Sequence, residues 1–117
     1  MFKSIESIIE WHKEYFPVAT LKGQRDKWIE ELNEFNNATG KHRIEELADL
    51  FIVACGIARF STIEAMNAFA QVDAAIQIDR INGVLYNFQQ FIENKMIINT
   101  SRKWKIDNGQ YKHIENQ

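Results

Sequence analysis

Glu31 and Glu34 stand three residues apart, and so do Glu46 and Asp49. In a helix, positions i and i+3 share one face, about 60° apart. Each pair therefore points its two carboxylates the same way. Oxygen donors that converge without a histidine or cysteine suit a hard cation, Mg²⁺ or Mn²⁺. Carboxylates held close together raise one another's pKa and favour a cation between them. Asp49 carries most of this argument. It stands between Ala48 and Leu50 at the start of a nearly all-apolar run. A carboxylate there is costly unless it is solvated, paired or bound to a metal. A solvated helix face is the simpler account of Glu30, Glu31 and Glu34. A di-iron carboxylate bundle is another alternative, but it uses Glu-x-x-His pairs, and neither acid pair has a histidine at that spacing.

Lys95, Asn99 and Arg102 follow at i, i+4 and i+7. They span about 60° of a helical face. Two cations and an amide on one stripe can grip phosphate oxygens that a metal leaves free, Arg as a planar fork and Lys as a point charge. The same stripe also suits a solvated helix end, where cations complement the macrodipole. Trp11, Phe16, Trp28 and Trp104 are candidates to stack on a base, Trp28 and Trp104 foremost. Spacing leaves Trp28 on the border between the acidic and apolar faces. His12 is expected at the surface or as a cap, with a ligand contact as the alternative, and His42 and His113 belong to no constellation. Cys55 lies in the apolar run Leu50–Cys55 and is expected to be a buried, inert thiol.

Helices must position these groups. There is one proline, Pro17, and only five glycines. Apolar spacing predicts a first helix over Ser4–Tyr15, ended near Pro17, and a second over Gly23–Asn37. The run from Asn36 to Gly40 reads as a stop and short turn, which makes the next helix, Lys41–Phe60, an antiparallel neighbour. That third helix is apolar almost all round after Glu46, as in a bundle centre or a subunit interface. Ser61–Glu64 reads as a capping box. Helical pattern then continues to about Arg102, and Asn82-Gly83 leaves open whether it is one helix or two. Trp104–Ile114 alternates around Asp107-Asn108-Gly109, the pattern of a short hairpin. The expected fold is all-α: one compact domain over 1–117, four to five helices with a short C-terminal β-hairpin, assembled as an oligomer.

The bulk composition narrows the partners. The chain has 117 residues, 26% charged and 45% hydrophobic, with a net charge of −2. A chain with this charge and no basic stripe is not expected to hold DNA or RNA through many phosphates. No uncharged apolar stretch approaches the roughly 20 residues of a membrane span. The N-terminus is charged from the start, unlike a signal peptide. A cytoplasmic protein is expected.

Glu30-Glu31-Leu32-Asn33-Glu34 followed by Glu46-Leu47-Ala48-Asp49 resembles the E-E-x-x-E … E-x-x-D signature of the MazG-like all-α nucleoside triphosphate pyrophosphohydrolases. Lys95 to Arg102 is similar to the K-x-x-x-N-x-x-R segment of that family, and the tail to His113 looks like its small phage- or mobile-element-type members. The spacer from Glu34 to Glu46 is at the short end for the signature, and the segment from Asp49 to Lys95 is longer than in the most compact members. The resemblance implies that Glu31, Glu34, Glu46 and Asp49 hold Mg²⁺. It implies that Lys95, Asn99, Arg102 and Lys27 contact a triphosphate, with Glu30 and Glu45 as weaker matches. It further implies hydrolysis of (d)NTP to (d)NMP and pyrophosphate by water attack at the α-phosphorus, with Glu31 or Glu34 as base, in a homodimer or homotetramer. A silent nucleotide-binding module and a purely structural helical oligomer are the rivals.

Overall fold

A computed structural model describes residues 4–107 and 110–114. Five helices come first: α1 (Ile5–Tyr15), α2 (Leu21–Asn37), α3 (Gly40–Ala58), α4 (Thr62–Ile81) and α5 (Phe88–Ser101). Two short strands follow, β1 (Trp104–Asp107) and β2 (Gln110–His113). They pair antiparallel, with Trp104 opposite His113 and Asp107 opposite Gln110. Asn108 and Gly109, the expected turn residues, lie outside the described residues.

Local chemistry sets the helix ends. The Ser4 side chain accepts from Ser7 N, while the Ser7 hydroxyl faces back to Ser4 N, closing a capping box. Thr20 Oγ1 accepts from Gly23 N and starts α2 two residues earlier than its apolar spacing suggests. Ser61 caps α4 through Glu64 N, but the Glu64 carboxylate turns to Arg25 instead, at 2.6 and 2.8 Å. The open question at Asn82-Gly83 resolves into two helices. Gly83 has φ +81, a conformation that suits glycine. Gly83 N donates to Arg80 O and Val84 N to Asp79 O, at 3.0 and 2.8 Å. This is a Schellman stop, and it satisfies carbonyls that the helix end would orphan.

α3 is the hub, packed against α1, α2, α4 and α5. Leu47, Ala48, Leu50, Ile52, Val53, Ala54, Cys55 and Ile57 are all buried within this one chain. The apolar run of α3 therefore needs no second subunit to cover it. Cys55 is fully buried, and burial pushes its thiol up to about 12. Arg59, at the end of α3, donates to Phe16 O and Pro17 O at 2.6 and 3.0 Å, tying down the α1–α2 turn. At the far end, buried Asp79 accepts from Arg43 Nη1 (2.7 and 2.8 Å) and from Tyr86 OH (2.6 Å). That clamp joins α3, α4 and the segment leading into α5. No helix among the described residues is long and apolar enough to cross a membrane.

Candidate functional site

One cleft of about 370 Å³ is bounded by α1, α2, α3, α5 and the hairpin. Glu31 and Glu34 reach it from α2, and Glu46 and Asp49 from α3. One carboxylate oxygen from each of Glu31, Glu46 and Asp49 lies within 4.8 Å of the others. Glu31 and Glu46 are buried, at 7% and 6% exposure. Glu34 is exposed, and its charge adds to the upward push on both. The two adjacent helices thus bring three of the four expected acids together, while Glu34 lines the cleft outside that cluster.

The electrostatics are those of crowded acids short of counter-charge. Burial, then Asp49, pushes the Glu31 carboxyl up to about 8, against the pull of Lys27. Burial and Asp49 raise Glu46 as well. Burial raises Asp49, with Lys95 pulling the other way. Lys27 Nζ stands 3.3 Å from Glu31 Oε1, and Lys95 Nζ 3.2 Å from Asp49 Oδ2. Glu31 Oε2 and Glu46 Oε2 are buried without any hydrogen-bond partner. A buried oxygen left so costs about 1–3 kcal/mol or more. Two such oxygens in a cluster built only of carboxylates fit a hard divalent cation.

The cationic stripe is helical only in part. Lys95 and Asn99 line the cleft from α5, together with Lys27 of α2, whereas Arg102 lines it from the extended backbone just past Ser101, where α5 ends. Trp104 lines it too, from β1. Trp28 does not. It packs between the α3 and α4 core residues and borders a separate shallow groove with Arg25 and Ile29. A Trp on the border of two faces was decided by apolar packing. Glu45 stays outside the cleft, whereas Glu30 lines it and accepts from Gln110 Nε2 at 2.7 Å.

Three histidines depart from expectation. His12 is buried, not at the surface, with Nε2 2.9 Å from Ile52 O. Burial drives its pKa down to about 4. His42 Nε2 lies 3.4 Å from Glu46 Oε1, four residues on. His113 lines the cleft from β2. Gln24, Gln110, Tyr111 and Lys112 also line it and were not singled out by sequence. For Gln24 the signal was its i, i+7 relation to Glu31 on one helical face. The others depend on the hairpin folding back over α2, which no local pattern encodes. Gly56 makes room for this wall: a Cβ there would sit 2.4 Å from Gln24 Oε1 and 2.9 Å from His12 Cε1.

No family model, curated protein or solved structure matches the chain.

Proposed function

We propose that the protein is a Mg²⁺-dependent nucleoside triphosphate pyrophosphohydrolase, splitting (d)NTP into (d)NMP and pyrophosphate. The observation that carries this reading is a single cleft joining three clustered carboxylates to four cationic or amide groups, Lys27, Lys95, Asn99 and Arg102. A carboxylate cluster alone would suit many metal sites, and a cationic stripe alone would suit a solvated helix end. Facing each other, they suit an ion paired with a polyanion.

Glu31, Glu46 and Asp49 would hold the Mg²⁺, with Glu34 beside them; Mn²⁺ satisfies the same oxygen donors. When bound, the ion supplies charge neutralisation and a fixed orientation for the phosphates. Lys95 and Arg102 stabilise charge that develops on the phosphate oxygens. Lys27 and Asn99 hold the chain of phosphates in register, and Lys112 adds a cation from the hairpin side. Glu31 of the cluster, or Glu34 beside it, accepts the proton of the attacking water. The only cysteine is buried with its pKa raised, so the cleft relies on water rather than a thiol nucleophile.

Assembly as a homodimer or homotetramer belongs to the same proposal. Its support now comes from α4 and the turn after it, where Ile63, Met66, Ile81 and Leu85 stand exposed, and no longer from α3. A cytoplasmic location is likewise proposed, supported by the composition.

The test is pyrophosphate release from each dNTP and NTP with Mg²⁺. Wild-type protein turns over at least one of them. Asp49→Asn and Glu34→Gln each lose at least about 100-fold in kcat/KM, some 3 kcal/mol of transition-state stabilisation. Normal turnover by either variant contradicts the reading. Tight nucleotide binding without turnover by the wild type would make the protein a silent binding module.

A further inference from the structure

α4 packs one side on α3 and leaves the other bare. Val72 is buried, and the face opposite it runs exposed from Ile63 to Ile81. At about 100° per residue, no acidic or basic side chain falls within about 60° of its midline. Glu64, Asp73 and Arg80 all lie outside that stripe.

The stripe reads nearly the same from either end. Ile63 and Ile81 close it, Met66 and Ile78 come next, then Asn67 and Gln77, and Ala70 and Ala74 hold the middle. Each pair is equidistant in sequence from Val72. Large apolar groups thus stand at both ends and small ones at the centre. A second α4 laid antiparallel across this face brings each residue level with its like on the other copy, and the alanines let the two backbones approach. A two-fold contact needs this reciprocity. Antiparallel packing also sets opposite ends of the two helix dipoles side by side.

A hollow lies beside the stripe. α2 and α4 both pack on α3 but not closely on each other, and a largely apolar groove of about 370 Å³ stays open between them. Trp28 and Ile29 line it from α2, Ile57 from α3, and Glu64, Asn67 and Gln71 from α4. By the same angular count, Ile78 leans to the groove side of the stripe. In an antiparallel pair, Ile78 of one copy comes level with Met66 and Asn67 of the other and points at the groove. The fit occurs twice, once in each direction.

The exposed area suits a second copy. Ile29, Ile63, Met66, Ile78 and Ile81 are each more than half exposed. Together they lay open on the order of 500 Å² of apolar surface, as much as a monomer ordinarily leaves in one patch. With the alanines, the amides and the groove walls, the face approaches the roughly 800 Å² that each partner gives to a standard interface.

We propose that this face joins two copies of the chain about a two-fold axis, with α4 antiparallel to α4 and Ile78 of each copy seated in the α2–α4 groove of the other. The inference rests on the assembly part of the proposed reading and not on its chemistry. No α4 residue lines the acidic cleft, so each copy keeps a whole cleft of its own. The contact stabilises the protein without completing its site.

Sedimentation equilibrium of the full chain at micromolar concentration tests this. Wild type is expected at twice the chain mass of 13.7 kDa, or at a higher even multiple that Ala70→Glu halves. Ala70→Glu sets two like charges near the centre of the contact from an exposed helix position. It is expected to raise the dissociation constant at least about 100-fold, with helix content by circular dichroism unchanged. Cross-linking reads the orientation. With diamide as oxidant, an equimolar mixture of Ile63→Cys and Ile81→Cys forms a disulfide-linked pair and neither variant alone does, the native Cys55 being buried. Pyrophosphate release per chain is expected to be the same in Ala70→Glu as in wild type. A monomeric wild type overturns the interface, and so does an assembly that Ala70→Glu leaves intact. Cross-linking of Ile63→Cys with itself overturns the antiparallel arrangement. Lost turnover in a folded, monomeric Ala70→Glu overturns the independence of the two clefts. A dimeric wild type that turns over no triphosphate overturns the hydrolase reading and leaves the interface standing.

Discussion

Glu31 shows how much a single side chain can report. Its folded-state pKa, about 8, lies above the ordinary carboxyl value of 4.5 because it is buried beside Asp49. The folded protein therefore binds this proton more tightly than the unfolded chain does. The stabilisation is fully present below about pH 4.5 and is lost as pH rises through about 8. Metal-free protein is thus expected to lose roughly 10 °C of Tm between pH 5 and pH 9. Glu31→Gln mimics the protonated acid and should hold the pH 5 value across that range, as followed by circular dichroism. Saturating Mg²⁺ should restore the wild type at pH 9, since cation and proton compete for the same oxygens. A wild type whose decline Glu31→Gln shares would locate the titration elsewhere. The four acids were legible in sequence because a three-residue step on a helix fixes their shared face. His12 was not, since a histidine on an amphipathic helix carries no mark that separates a surface position from one bonded to Ile52 O. Trp28 was undecidable for the same reason, and packing placed it away from the cleft.

Elements were legible where backbone chemistry stops a helix and less so where packing or distant contacts decide. Pro17 and Gly40 marked their turns. Asn82-Gly83 was ambiguous because the αL residue matters only together with what fastens the next segment. That fastening is the Asp79 clamp, in which Arg43 lies on α3, Tyr86 precedes α5, and Arg43 stacks over Phe35 at 4.5 Å. The clamp orients α5 and so carries Lys95, Asn99 and Arg102 toward the acids. Breaking it should be expensive, because Asp79 is buried and its removal leaves Arg43 unpaired beside the core. Urea unfolding of Asp79→Ala is expected to show a loss of about 3 kcal/mol. Tyr86→Phe, which leaves the ion pair in place, should lose about 1 kcal/mol. Equal losses would mean that the ion pair contributes nothing beyond the tyrosine bond. The hairpin strands were visible as alternating runs, but their return over α2 was not. It depends on Gln110 finding Glu30, eighty positions away in the chain.

At the scale of the whole molecule, a hub helix is surrounded by four others, and its polar N-terminal half supplies Glu46 and Asp49 to a cleft. The sequence left α3 open as a bundle centre or a subunit interface, because a helix apolar on every side needs covering and pattern alone cannot say by what. The chain covers it itself, and Ile63, Met66, Ile81 and Leu85 on α4 and the following turn are among the apolar residues left exposed, as are Ile29 on α2 and Ile97 on α5. The cleft combines an acidic floor, a cationic wall and an aromatic end, the three environments a metal-bound nucleotide presents in turn. The central claim is that water cleaves between the α- and β-phosphates. Turnover of a dNTP with Mg²⁺ in ¹⁸O-labelled water, with both products read by mass spectrometry, tests it most directly. The expected products are a nucleoside monophosphate carrying one ¹⁸O and an unlabelled pyrophosphate. Label in the pyrophosphate, a diphosphate with inorganic phosphate, or no product at all would contradict the account.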